Sequence, residues 1–338
     1  MATISPHLGA APRIVRGRRP SAWLDWAMRY NFLFIFLLAV IVASLLSEDF
    51  LTFGNIANLF QQASVVGIVA VGMSFVILTA NIDLSVGSLA AFGGVLAAWL
   101  LQHGLGVWTS VVLTLAGGLA AGALMGGISV FGKVPSFIIT LAGLVSFRGL
   151  TFLLCDGAPI GGLPEAFGKA GSASFALPGG AGFPLMGLIF LGIALVAGLI
   201  LRCTVFGEYV LATGGNREAA RLSGVPVRAV TVAVFAISGL LAALGGVLMT
   251  SRLHIGQPTA AQGMELDAIA AVVLGGTSLF GGRGSMLGTA VAVMLLQVIR
   301  NIFNLLGLGS FYQMAITGLI IVLAILLNRL IDHYAGRN

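Results

Sequence analysis

The acidic residues that interrupt apolar sequence are where chemistry would have to sit. Asp83 lies in Asn81-Ile82-Asp83-Leu84-Ser85-Val86-Gly87-Ser88, and Glu265 and Asp267 lie in Met264-Glu265-Leu266-Asp267. The second run leads into Gly275-Gly276-Thr277-Ser278 and Gly281-Gly282-Arg283-Gly284. A carboxylate at membrane depth needs a partner or water. Asp83 therefore reads either as an N-cap, with Ser85 assisting, or as a residue that ends one helix and faces a solute pathway. Arg148 is a candidate partner for it; alternatively, Arg148 snorkels toward an interface or bonds a neighbouring helix's carbonyls. No second acidic residue stands beside Asp83 to make a metal site or proton relay, and no intramembrane HExxH or GxSxG run occurs. Gly127-Ile128-Ser129-Val130-Phe131-Gly132-Lys133-Val134 has P-loop spacing up to the lysine, but Val134 stands where a magnesium-binding hydroxyl belongs. The run also sits at a helix end rather than after a buried strand, so ATP hydrolysis and catalysis in general are not expected of this chain.

A second cluster is polar and short. In Gly214-Gly215-Asn216-Arg217-Glu218-Ala219-Ala220-Arg221-Leu222-Ser223-Gly224-Val225-Pro226, Asn216 caps the first free amides and Glu218 puts negative charge in the first turn. Gly224 suits the left-handed residue that ends a helix, and Pro226 prevents its resumption. About two turns result, roughly 10 Å long. So short a helix is not stable alone in water and needs a surface to pack against. Ala219, Ala220 and Ser223 lie three or four residues apart and predict a low face for close approach, with Arg217, Glu218 and Arg221 setting register by charge.

The elements that position these clusters are membrane spans. Apolar residues make up 58% of the 338-residue chain and charged residues 8%, and the mean hydropathy is +1.07, which together specify an integral membrane protein. The 48 glycines allow close helix approach in lipid. Apolar stretches fall at about 31–47, 63–80, 84–102, 107–131, 134–155, 184–201, 230–250, 285–304 and 311–328, each near the ~20 residues a crossing needs. A shorter, glycine-broken stretch at about 265–281 makes ten. Arg13, Arg16, Arg18, Arg19 and Arg29 predict a cytoplasmic amino end. Ten crossings then also place Lys133, Arg202, Arg217, Arg221, Arg228, Arg283, Arg329 and Arg337 inside, with Lys169 and Arg252 outside and Arg300 near that face. The net charge of +6 is explained by this orientation and not by nucleic acid. The first apolar run is long enough to be an uncleaved anchor. Cys155 and Cys203 read as ordinary buried thiols, and Phe75, Phe92, Phe137 and Phe147 as packing residues without assigned sugar contacts.

The fold expected is an all-α polytopic helical bundle of about ten transmembrane helices with broken or re-entrant segments. A basic tail occupies 1–30, the membrane domain 31–329 with a cytoplasmic loop at about 202–229, and a second tail 330–338. Spans two to five and seven to ten start from opposite faces, as inverted repeats do. The two breaks are candidates for lining a path, because non-helical backbone at this depth must be satisfied by protein or a wet cavity. The candidate path residues are Asn81, Asp83, Ser85, Ser88, Glu265 and Asp267.

Three runs in order carry a resemblance: Asn81 to Ser88, Gly214 to Gly224, and Ala271-Val272-Val273-Leu274-Gly275-Gly276-Thr277-Ser278 through Gly282-Arg283-Gly284-Ser285. Over about residues 30 to 330 the chain resembles the ribose-type permeases of bacterial ABC sugar importers. The resemblance implies an inner-membrane subunit, paired with a second permease chain, identical or homologous. It implies two partners: a pair of cytoplasmic ATPases that bind ATP and magnesium, and a periplasmic sugar-binding protein. The glycine- and proline-rich external loop at about 156–183 reads either as the docking side for that protein or as a plain connector. It also implies that Gly215, Asn216, Arg217, Glu218, Ala219, Ala220, Arg221, Ser223 and Gly224 form the ATPase-coupling loop. The alternative reading is an ion-coupled secondary transporter; against it stands the expectation that no span pairs ionisable groups as such relays often do.

Overall fold

The structure, a computed structural model, describes residues 31–176 and 182–309 and scattered positions from 312 to 322. The tails at 1–30 and 330–338 and the body of the expected 311–328 span lie outside the described residues. The described residues form a helical bundle in the order α1 (Asn31–Leu46), α2 (Phe53–Leu78), α3 (Val86–Gln102), α4 (Val107–Gly132), α5 (Ser136–Leu154), α6 (Glu165–Ser172), β1 (Ser174–Ala176), β2 (Gly182–Pro184), α7 (Leu185–Cys203), α8 (Val205–Gly215), α9 (Arg217–Leu222), α10 (Val227–Leu253), α11 (Met264–Leu274) and α12 (Met286–Leu305). The two three-residue strands pair antiparallel in the segment between α6 and α7, with Phe175 opposite Phe183. Among the described residues six helices, α2, α4, α5, α7, α10 and α12, are long and apolar enough to cross alone, and α1 and α3 are shorter apolar helices.

Boundaries differ from the apolar runs where polar residues are helical. Helix α2 begins ten residues before the apolar stretch, because Thr52 caps it by accepting from the Asn55 amide at 3.4 Å and its first turns are polar. Asn55 and Asn301 exchange amide hydrogen bonds at 2.9 and 2.7 Å, and Gln297 donates to Gln62 at 2.8 Å, tying α2 to α12. The loop expected at about 202–229 contains a helix the hydropathy did not separate, α8, capped by Thr204 accepting from the Gly207 amide. Cys203 is exposed, not buried; Cys155 is buried as expected.

The core is built by close backbone approach around α10. A Cβ on Gly122 of α4 would strike the Phe235 carbonyl of α10, and one on Gly246 of α10 would strike the Ala90 carbonyl of α3. Helix α2 runs antiparallel to α10: Gly72 lies against Ser238, and Gly245 against Val69. Helices α3 and α4, which follow α2 in the chain, pack on α10; α11 and α12, which follow α10, pack on α2. Each half thus lays its second and third helices on the first helix of the other half. This reciprocal exchange is compatible with the expected inverted repeat.

Candidate functional site

The break after α2 is closed by its own neighbours. Ala80 is left-handed at φ 58° and ends the helix. Asn81 donates to the Thr79 carbonyl and hydroxyl, both at 2.9 Å. The Ile82 amide donates to Ser136 Oγ of α5 at 3.4 Å, and Thr140 Oγ1 donates to the Ile82 carbonyl at 3.3 Å. Irregular backbone at this depth is satisfied by protein, as lipid demands. Asp83 is wholly buried. Its Oδ1 accepts from the Ser85 amide at 3.0 Å and the Ser85 hydroxyl at 2.6 Å, and its Oδ2 accepts from Ser238 Oγ of α10 at 2.8 Å. Ser85, rather than Asp83, is the residue before the first turn of α3, and its side chain makes no capping bond. Asp83 instead makes a turn onto the amide two residues ahead, an Asx geometry. Ser85 and Ser88 are also fully buried, and Asn81 nearly so.

Arg148 is not the partner of Asp83. Its Nη1 donates to the carbonyls of Pro258 at 2.7 Å and Ala260 at 2.8 Å, in the non-helical segment between α10 and α11. That segment runs beside α3: Gly256 lies against Ala98 and Val95, and Gly87 lies against the Ala261 carbonyl and the Glu265 carboxylate. The first turns of α3 and α11 therefore meet, which brings Asp83, Ser85 and Ser88 to the same region as Glu265. Asp267 faces the other way and forms an ion pair with Arg300 of α12 at 2.5 Å, both side chains partly exposed. The expectation that no span pairs ionisable groups is corrected by this contact. It links elements 33 positions apart in sequence, a separation that run-by-run reading does not bridge. Phe92 and Phe147 pack on each other with centroids 5.8 Å apart, and Phe75 on Phe206 at 6.2 Å.

The polar helix is where its caps predict. Asn216 is extended, and its Oδ1 accepts from the Ala219 amide at 2.9 Å. Gly224 is left-handed at φ 87°, and the Val225 amide returns to the Ala220 carbonyl at 3.0 Å, satisfying the last turn. Glu218 and Arg221 form a two-point ion pair, at 2.6 and 3.1 Å. Arg221 thereby holds the Glu218 carboxyl below the usual carboxylate range, by hydrogen bonding first and charge second. The expected low face is only partly available: Ala220 turns into the bundle at 6% exposure, whereas Arg217, Glu218, Ala219, Arg221, Leu222 and Ser223 are exposed. Gly215 is open, but a Cβ on Gly214 would strike the Leu78 carbonyl at the end of α2. On the same turn rest Gly281 and Gly282, both left-handed, their added Cβ atoms 2.9 Å from Gly214 Cα and 2.7 Å from Gly215 Cα. The Gly282 amide donates to the Leu78 carbonyl at 2.9 Å. The second and third sequence runs thus meet at one junction, where the end of α8 and the loop before α12 rest on the end of α2, immediately before the first run.

A family described as "Branched-chain amino acid transport system / permease component" matches residues 55–325. The chain belongs to this permease family. Its relatives include the ribose import permease protein RbsC of Escherichia coli strain K12, 42% identical over 93% of this chain and 97% of the relative. The L-arabinose ABC transporter permease protein AraH of Azospirillum brasilense is 38% identical over 96% of this chain and 93% of the relative. The xylose transport system permease protein XylH of Escherichia coli strain K12 is 34% identical over 86% and 90%. No solved structure matches. The ribose-type resemblance carried by three short runs therefore extends along the chain, and the protein is a multi-pass, non-catalytic permease subunit of an ABC importer, ATP hydrolysis being the work of a separate subunit.

Proposed function

We propose that the chain carries a small sugar of the pentose class from a periplasmic binding protein to the cytoplasm, as one of two permease chains seated on a pair of ATPases. The sugar class rests on relatives named for ribose, L-arabinose and xylose, which outweigh the amino-acid wording of the broader family description. The observation that carries the coupling role is α9: six helical residues, capped at both ends, with only Ala220 buried. A helix this short with Leu222 at 74% exposure gains its stability from a surface beyond the chain. The coupling loop is Gly215, Asn216, Arg217, Glu218, Ala219, Ala220, Arg221, Ser223 and Gly224, with Ala220 anchoring it to the bundle. Closure of the ATPases on ATP moves this helix, and the junction at Gly214, Gly282 and Leu78 passes the motion to the breaks beside α3 and α11. The path runs by Asn81, Asp83, Ser85, Ser88 and Glu265, with Asp267 on its flank. Both chain ends are cytoplasmic, and lipid surrounds the pair.

The test is purification of the transporter from native membranes in mild detergent, comparing wild type with Glu218→Arg. An ATPase subunit is expected to accompany the wild type and to be depleted in the variant, with chain abundance unchanged. Recovery of the chain alone from both samples overturns the coupling role.

A further inference from the structure

We infer that the non-helical segment 254–263 is a gate strap over the path and that Arg148 is the latch that holds it, an inference that rests on the path reading above. Helix α10 ends at His254, left-handed at φ 53°, and α11 starts only at Met264. Between them Gly256 lies against Ala98, one turn from the outer end of α3, and Ala261 lies against Gly87 in its first turn. The strap therefore descends along most of α3, roughly 16 Å at 1.5 Å per residue, and ends against Gly87, between the buried Ser85 and Ser88 in sequence. Its upper end is fixed by the paired backbone bonds between Gly256 and Ile160 at 2.8 and 2.9 Å.

Its middle is held from a different helix. Arg148, two-thirds of the way along α5, spends a single nitrogen on two carbonyls of the strap, Pro258 and Ala260. Other strap residues turn back on themselves: Gln257 donates to Thr259 at 2.8 Å, and the Ala260 amide to the Gln257 carbonyl at 3.1 Å. Charge-assisted bonds to carbonyls in a low-dielectric setting are strong, yet no covalent or helical continuity joins α5 to the strap. Breaking two hydrogen bonds to one side chain frees the middle of the strap without unfolding a helix. Ala261 and Gly263, left-handed at φ 56° and 76°, are the positions where the backbone turns into α11 and where such a movement would hinge.

Arg148 is thus a positioning residue for transport. Because only one nitrogen makes both contacts, Arg148→Lys retains the latch, whereas Arg148→Met has the apolar stem and no donor. The experiment places a cysteine at Ser88 in a Cys203→Ser background of the full transporter. Its reaction with a membrane-impermeant thiol reagent is timed in intact cells and in inverted vesicles. Arg148→Met is expected to speed labelling from one face by about tenfold or more, the order expected for loss of charge-assisted bonds, and Arg148→Lys to restore the slow rate. Sugar uptake, measured in the same variants without the cysteine, should lose Vmax more than apparent KM in Arg148→Met. Equal labelling rates in all three Arg148 forms, at equal membrane abundance, overturn the latch. A rate change with no sugar uptake in any form would leave the latch standing and sink the transport path instead.

Discussion

Asp83 joins the two halves of the molecule at a single carboxylate. Its three donors come from the α3 start and from Ser238 of α10, so its loss has separable consequences. Asp83→Asn keeps an oxygen for Ser85, and Ser238 can turn its hydroxyl to accept from the new amide. Asp83→Ala leaves two buried hydroxyls and an amide without partners, at a cost of about 1–3 kcal/mol. Thermal unfolding of the detergent-purified transporter should place Asp83→Asn near wild type and Asp83→Ala clearly below. Unchanged melting with abolished uptake in Asp83→Ala would move the residue from scaffold to solute contact. Glu218 gives a pH prediction at the same scale. Its folded carboxyl titrates below the ordinary value because of Arg221, so the pairing is present at neutral pH and is lost only as pH falls through that depressed value. ATPase association should accordingly be level from pH 8 to about 5, above the ordinary glutamate value near 4.3, and fall only in stronger acid. A midpoint near pH 6 would rule out Glu218 as the titrating group.

Elements in this bundle are specified by two kinds of signal, and only one is visible along a single run. Caps and breakers are local: Asn216, Gly224 and Ser285 act on residues within four positions, so α9 and the start of α12 were legible in the sequence, as were most apolar spans. Polar helix ends were not. Residues such as Asn55 and Gln62 look like loop until Asn301 and Gln297, more than 230 positions later, supply their partners. Arg148 and Asp267 failed for the same reason, since a charge in an apolar run announces that it has a partner without naming it. Glycines were legible as an excess but not by role. Gly246 has the Ala90 carbonyl where its Cβ would go, while Gly192 of α7 has nothing within 4 Å. Gly246→Ala must push α10 from α3 and should lower the folded yield and melting temperature of the transporter, whereas Gly192→Ala should leave both unchanged. Equal effects of the two substitutions would mean that α10 does not pack on α3 this closely.

At the scale of the whole molecule the two halves differ in what they add to a shared plan. The first half follows α2 with a seven-residue turn held by α5; the second follows α10 with a longer strap, pinned above by α6 and Ile160. Helix α6 is itself fastened to the end of α10: Ser251 Oγ donates to the Phe167 carbonyl at 2.5 Å and accepts from the Gly171 amide at 2.9 Å, and Gly168 packs on the His254 ring. Helix α6 and the strap are consequently one mechanical unit, while α8, α9 and the Gly281–Gly282 loop form another at the opposite end of α10. Translation of an ATPase movement into a change at the path requires that these units face opposite sides of the membrane. Cytoplasmic basic residues argue for α9 inside and α6 outside. Cysteines placed singly at Ser223 and at Lys169, both exposed, in a Cys203→Ser background decide it. An impermeant thiol reagent added to intact cells should label the Lys169→Cys protein and spare the Ser223→Cys protein until the membrane is permeabilised. Labelling of both from one side would place the two units on the same face, and a rigid α10 then could not carry a signal between them. Labelling in the reverse order would turn the coupling helix away from the ATPase it is proposed to meet.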